Sequence, residues 1–282
     1  MVNRLLIVDG SNLLFQMFYG MPTRIVNSQG KPIHGTLGFI GALLKIIRRI
    51  EPTHLAVLFD GEHENVRAAI QPAYKANRTD YSKMPEEETP FSQLPDIYAA
   101  LDYLNIQHME TTICEVDDWI AGYVYTCEAG TEMIISSFDS DFFQLITDRV
   151  SVLRYRGEKT ILCTPMYIRE KYGVEPEQFA DYKALVGDGS DNIKGADKVG
   201  PKTAAALLQE YGTLEYILEN AESIQRPSIR ESIQRNAERL RTNYSLIKLH
   251  DSAELPFTLP ELAYQQPVYK MAHRWYLGIM LQ

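Results

Sequence analysis

Leu5-Leu-Ile-Val-Asp9-Gly10 is a short apolar run that stops on a carboxylate, and the pattern returns in Leu55-Ala-Val-Leu-Phe-Asp60-Gly61 and in Met133-Ile-Ile-Ser-Ser-Phe-Asp139-Ser-Asp141. Unbroken apolar runs of this length fit strands covered on both faces, as in a parallel sheet. Each strand then delivers its aspartate to the carboxyl edge, where open parallel sheets place their ligands. Two further clusters, Glu115-Val-Asp117-Asp118 and Asp188-Gly-Ser-Asp191, bring the number of candidate acids to nine. So many carboxylates on one edge repel each other unless cations neutralise them. An all-oxygen donor set suits Mg²⁺, with Mn²⁺ as a substitute, and two such ions fit metal-assisted phosphodiester chemistry.

Around these runs, short apolar segments alternate with helical patterns. Strands are expected near 4–9, 54–60, 106–110 and 132–137, and helices near 35–50, 92–104 and 115–129. That rhythm predicts an α/β fold, a mainly parallel central sheet flanked by helices. From about residue 165 the strands are expected to stop and helical patterns dominate, giving an α/β unit over 1–165 and a packed helical region over 166–282. Residues 61–90 interrupt the rhythm: they carry no sustained apolar stripe, mix bases with Tyr74 and Tyr81, and turn acidic at Glu86, Glu87 and Glu88. Loops of this length without a core of their own are usually functional or disordered, and this one directly follows Asp60.

The chain has 282 residues, a 45% hydrophobic and 23% charged composition, and a formal charge of -9. These are values of an ordinary globular protein with room for a sizeable core. No run approaches the ~18 apolar residues of a membrane helix, and the amino terminus enters the first strand without a signal pattern, so a soluble, cytoplasmic monomer is expected. Cys114, Cys127 and Cys163 form no CxxC pair and read as reduced, buried thiols. The overall acidity argues against a nucleic-acid partner, but the bases are grouped. Arg67, Lys75, Arg78 and Lys83 crowd the 61–90 insertion, Lys45, Arg48 and Arg49 close a helix, and Arg226, Arg230, Arg235, Arg239 and Arg241 crowd another.

In the EVDD stretch, read as a helix start, Glu115 and Asp118 share one side and Asp117 points about 100° away. In Gly195-Ala-Asp-Lys198-Val-Gly200-Pro-Lys202-Thr203, the two glycines bracket a tight turn and Pro201 takes the first helical position. Backbone N–H groups at that helix start can hold a DNA phosphate, assisted by Lys198, Lys202 and Thr203.

Taken together, VDGSN at 8–12, VLFDG at 57–61, YKANR at 74–78, EVDD at 115–118, FDSDFFQLI at 138–146 and LVGDGSDNIKGADKVGPKTAAALL at 185–208 resemble the 5′ nuclease family. That family includes flap endonucleases, phage 5′ exonucleases and the 5′ nuclease of bacterial DNA polymerase I, and with no polymerase sequence behind Gln282 the chain is similar to the stand-alone form. The resemblance implies a PIN-like sheet, with 61–90 as a helical arch and about 185–210 as a helix-hairpin-helix. It implies a first metal site from Asp9, Asp60, Glu115, Asp117 and Asp118, and a second from Asp139, Asp141, Asp188 and Asp191. Lys75 and Arg78 would meet the scissile phosphate, and Arg67, Tyr74 and Lys83 would contact DNA, Tyr74 by stacking a base or by packing the arch. Carbonyls of Leu185, Val186, Lys194, Ala196 and Val199 would bind K⁺. The implied substrates are DNA with 5′ flaps and RNA:DNA hybrids, met in Okazaki fragment processing and repair.

Three positions depart from the family pattern: Phe138 in SSFDSD where TGDKD is common, Gln16 where many carry a base, and Lys194 in place of a frequent proline. Two rival readings use fewer of these features. A DNA-junction binding protein without catalysis has no need of nine acids that repel phosphate, and a receiver-like or phosphatase-like domain leaves YKANR and GPKT unexplained.

Overall fold

The computed structural model describes residues 3–61, 66–112, 114–250 and 254–265. Residues 62–65 of the insertion and 266–282 of the expected helical region lie outside the described residues. Six strands form one sheet: β1 (Arg4–Asp9), β2 (His54–Phe59), β3 (Gln107–Glu110), β4 (Glu132–Ser136), β5 (Val150–Arg154) and β6 (Ile161–Cys163), in the spatial order β3-β2-β1-β4-β5-β6. Neighbours run parallel except β5 and β6. The mainly parallel sheet is therefore as expected, and β5 and β6 extend it.

Strand β1 shows why an apolar run, not an alternating one, makes this sheet. Leu5 and Ile7 enter the core on one face, while Leu6 and Val8 enter a separate core on the other. The second face is covered by α1 (Gly10–Gly20), α2 (His34–Ile50) and α4 (Leu94–Tyr103). Gly10 starts α1 hard against β2, where a Cβ would stand 2.6 Å from the Phe59 ring. The opposite face packs on α5 (Val116–Thr126) and continues without a break into the later helices. The chain runs outward from β1 through β2 to β3, then restarts beside β1 at β4. The order thus reverses between β1 and β4, which opens a crevice at their carboxyl ends.

Among its described residues the insertion is less helical than an arch of helices implies. It contains α3 (Val66–Ile70) and single 3₁₀ turns at Tyr81–Lys83 and Glu86–Glu88. After residue 165 come α6 (Pro165–Tyr172), α7 (Phe179–Val186), α8 (Pro201–Tyr211), α9 (Leu214–Glu219), α10 (Pro227–Arg235) and α11 (Ala237–Ile247). The strands do not stop altogether, since β7 (Gly187–Asp188) and β8 (Ile193–Lys194) pair as a small antiparallel hairpin. That hairpin lies hard against the end of α7, and a Cβ on Gly195 would fall 2.3 Å from the Val186 carbonyl carbon. Among the described residues no helix is long and apolar enough to cross a membrane. All three cysteines are free, but burial is complete for Cys163 alone, Cys114 and Cys127 being half-buried.

Asn243 on α11 fastens the hairpin to the core. It is fully buried, and its Nδ2 donates to the Ala184 carbonyl at 3.1 Å and the Lys194 carbonyl at 2.9 Å. Asn243→Ala should therefore lower unfolding free energy by about 1–3 kcal/mol, measured by urea denaturation. An unchanged midpoint would mean that the hairpin does not depend on this tie.

Candidate metal and nucleic-acid site

The crevice between β1 and β4 widens into a cleft of about 750 Å³ lined by Asp9, Asp60, Glu115, Asp117 and Asp139, together with Lys75 and Arg78. Its floor is a chain of hydrogen bonds running across the switch point. Asp9 caps α1 by accepting the Asn12 N–H at 2.9 Å, and its other oxygen accepts the Ser137 hydroxyl at 2.8 Å. The same hydroxyl oxygen accepts the Asp139 N–H at 3.0 Å, and Asp139 accepts the Asp141 N–H at 2.8 Å. Asp60 is placed from both sides, its N–H donating to Ser11 and its carboxylate accepting the Val116 N–H at 2.9 Å. Both neighbours of Asp9 are neutral donors. Burial, then the Asp60 charge, pushes its carboxyl up to about 7. Asp117 is raised by burial and next by Asp139. These are carboxylates whose compensation is incomplete within the protein, and hard cations would complete it.

A second group sits beside the first. One oxygen from each of Asp141, Asp188 and Asp191 lies within 4.8 Å of the others, a spacing and an all-oxygen composition that fit a magnesium-sized ion. Between them stands Lys183 of α7, buried, its ammonium bonded to both Asp141 and Asp188. Burial alone would lower the Lys183 pKa, but Asp141, Asp139 and Asp188 outweigh it and raise it. Burial alone would likewise raise Asp188, but Lys183 holds it below its ordinary value. Sequence reasoning does not reach Lys183, since the Phe179–Val186 helix also carries Asp181 and Tyr182 and a lysine among them gives no distinct signal.

The insertion supplies the remaining cations. Arg67 binds Glu115 at 2.5 Å and Asp118 at 2.7 Å, and Lys75 binds Glu115 at 2.8 Å. Arg78, half exposed, reaches Asp191 at 2.9 Å. Residues 73–78 are tied to the Asp188–Asn192 turn as well: Lys75 N–H donates to the Asp191 carbonyl at 3.0 Å, the Asn77 side-chain amide to the Gly189 carbonyl at 2.9 Å, and the Asn192 side-chain amide back to the Ala73 carbonyl at 2.8 Å. Lys75 holds a left-handed φ of 56° in this arrangement, a conformation that costs free energy unless its surroundings impose it.

Several expected assignments change in the process. Asp118 faces Arg67 and is not among the residues lining the cleft, so the shared side of Glu115 and Asp118 turns toward the insertion. Arg67 is held by those two acids, its guanidinium turned to Glu115 and Asp118. Tyr74 is buried with its hydroxyl 3.5 Å from Glu115, which selects packing over base stacking. Lys83 is exposed but pairs with Asp80 at 2.8 Å, away from the cleft lining.

At the second motif, Lys198, Gly200 and Lys202 are exposed and Thr203 half-exposed around the start of α8, whose N-cap Gly200 offers no side-chain oxygen. Gly195 is buried there, its carbonyl accepting Arg239 at 2.8 Å, so its role is close packing. Of the carbonyls assigned to K⁺, Leu185 accepts the Ala196 N–H, Ala196 accepts the Val199 N–H, and Lys194 accepts Asn243. Each of those three already spends one lone pair inside the protein. In the Arg226–Arg241 group, Arg241 pairs with Glu215 and Glu238 and Arg230 bonds carbonyls, leaving less of this group for a ligand than its density suggests.

Comparison with known proteins adds the following. Residues 4–173 match the model of the 5′-3′ exonuclease N-terminal resolvase-like domain, and residues 174–270 that of the 5′-3′ exonuclease C-terminal SAM fold. A 5′-3′ exonuclease of Aquifex aeolicus is 33% identical over 268 residues, covering 93% of this chain and 87% of the relative. DNA polymerase I of Rhizobium leguminosarum is 37% identical over 92% of this chain, which spans 26% of that polymerase's length. A bacteriophage T5 flap endonuclease, solved as a pseudo-enzyme-product complex with DNA and metal ions, shares the fold at a TM-score of 0.71 and 24% identity, over 87% of this chain and 89% of that one.

Removing one partner of a buried ion pair costs about 3–5 kcal/mol. Lys183→Met should therefore destabilise the chelator-treated protein by a cost of that order, and Mg²⁺ should restore much of it; equal losses with and without Mg²⁺ would show that Lys183 and the ion do not share those carboxylates. A pH dependence follows from Asp9. Its raised folded pKa means that the folded protein retains a proton the unfolded chain has released, so metal-free stability falls as pH rises from 3.8 toward about 7. In thermal melts with chelator, Asp9→Asn should exceed wild type by at least about 3 °C above pH ~7.5, with the gap narrowing as pH falls toward about 3.8.

Proposed function

The chain belongs to the 5′-3′ exonuclease family, and on that premise we propose that it is a divalent-metal-dependent, structure-specific 5′ nuclease. It hydrolyses phosphodiesters near junctions between 5′ single strands and duplex, removing flaps and RNA primers in Okazaki fragment processing and repair, as a cytoplasmic monomer. The observation that carries this reading is a cleft lined by five carboxylates together with Lys75 and Arg78 of the inserted segment, beside a second carboxylate group that Arg78 reaches at Asp191.

In this proposal Asp9, Asp60, Glu115, Asp117 and Asp139 would hold one ion, and Asp141, Asp188 and Asp191 another, with Asp139 between the groups. Bound ions would supply an activated water and stabilise the leaving oxygen. Lys75 and Arg78 would give up their carboxylate partners to the scissile phosphate and stabilise the charge that develops on it. Asp60 and Asp139, held by Ser11, Val116 and Ser137, keep the acidic floor in place while the strand is positioned. Residues 1–165 supply most of the cutting site, completed by Asp188 and Asp191 of the later region. The 166–282 region grips duplex phosphates through Lys198, Lys202, Thr203 and the α8 amides, with K⁺ as an auxiliary ligand.

Lys183 favours a second reading, a DNA-junction binding protein with weak catalysis, because any ion at Asp141 and Asp188 competes with a tethered ammonium. One experiment separates the two. On a labelled 5′-flap duplex, wild type should cut with Mg²⁺ and not with chelator, Asp188→Asn should lose most activity, and Lys75→Ala should cut about 10²–10³-fold more slowly. Tight binding without any metal-dependent product would favour the junction binder.

A further inference from the structure

Phe138 stands directly before Asp139, yet nothing in the backbone there requires an aromatic residue. Its N–H donates to Asn12 Oδ1 at 3.0 Å, and its carbonyl accepts from Arg154 at 2.7 Å. Any side chain could sit on a peptide held at both ends in this way. The ring belongs to neither core and is half-exposed. Two guanidinium groups flank it instead, those of Arg154 at 5.9 Å and Arg156 at 5.8 Å from its centroid. Arg154 is anchored inward over Phe143, at 4.6 Å. Arg156 is exposed, and its backbone is fixed by a turn that accepts and donates through Thr160 and Lys159. Gln16 of α1 pins the preceding residue, donating to the Tyr155 carbonyl at 2.8 Å.

A polarised aromatic face next to an exposed guanidinium has the composition of a single-nucleotide station. Bases of any identity stack on the ring, while a planar guanidinium takes a phosphate through two parallel hydrogen bonds. Its place in the sheet is also specific. The insertion leaves from β2, on one side of β1, whereas Phe138 and Arg156 leave from β4 and β5 on the other. Phe138 adjoins the cleft through Asp139 and Asn12, both of which line it, so a strand leaving Lys75 and Arg78 across β4 would pass the ring.

We infer that Phe138 and Arg156 form a base-stacking and phosphate-binding station that seats one nucleotide beside the scissile phosphate and so helps set the cutting position. The inference rests on the nuclease reading. It is tested with full-length protein on flap DNA carrying one abasic nucleotide at a time on either side of the junction. Binding is measured with Ca²⁺ in place of Mg²⁺, and cut positions are mapped in parallel with Mg²⁺. Wild type should lose about tenfold in affinity at one abasic position. Phe138→Leu should bind intact DNA about tenfold more weakly, show no abasic-sensitive position and spread its cut sites, while Phe138→Trp should behave as wild type. Arg156→Ala, an exposed change that leaves folding untouched, should reduce the slope of log affinity against log salt by about one. Wild-type cutting combined with an unaltered abasic profile in Phe138→Leu and an unaltered slope in Arg156→Ala overturns the station alone. Failure of wild type both to bind and to cut flap DNA overturns it together with the nuclease reading.

Discussion

Charge compensation at the carboxyl edge of the sheet is the constraint around which the rest of this protein is arranged. Parallel strands that end on aspartates place acids side by side, and carboxylates taken out of water need hydrogen-bond donors or cations near them. The chain meets this need in three ways. The Asn12 amide of α1 and the Ser137 hydroxyl serve the Asp9 carboxylate, the Val116 amide of α5 serves Asp60, and the Asp141 amide serves Asp139. Lys183 serves Asp141 and Asp188 from below. The insertion reaches over from the other side with Arg67, Lys75 and Arg78. Where compensation stays incomplete, at Asp9 and Asp117, a hard cation has most to offer.

Much of this was legible in the chain itself. The aspartate-terminated apolar runs specified strands buried on both faces, and with them the location of the acids, because the local pattern and the global packing demand the same residues. Helix periodicity also placed Glu115 and Asp118 together, and in the structure both do meet Arg67. The same periodicity could not say which neighbour that side faces, and it faces the insertion. Strand β5, with Ser151 and Arg154 in a five-residue run, and the three-residue β6 were too short and mixed to stand out. Helix α1 lies between two glycines, so its most reliable sign is its cap, Asp9, a residue already claimed by the acidic motif.

Lys183 was illegible for a different reason. A polar residue in a helix is ordinarily a solvated edge position, and nothing local distinguishes one that crosses to an aspartate 42 positions away. The bases of the insertion carried the opposite risk. Their density suggested a binding patch, and it took tertiary contacts to separate Arg67, sequestered by two acids, from Arg78, half open to solvent. Density of charge in sequence indicates where ions gather, and the geometry of partners decides which remain available.

The cross-ties between YKANR and the Asp188–Asn192 turn reach beyond their contribution to stability. Asp191 is at once a member of the second acidic group, the carbonyl partner of the Lys75 amide and the ion-pair partner of Arg78. One residue thus belongs to two equilibria, occupancy of the acidic group and position of the insertion. Thermodynamic reciprocity follows: whatever factor a bound cation exerts on how the insertion engages a strand, the engaged strand exerts on cation affinity. Under the proposed function, metal loading and strand capture would then be coupled through Asp191.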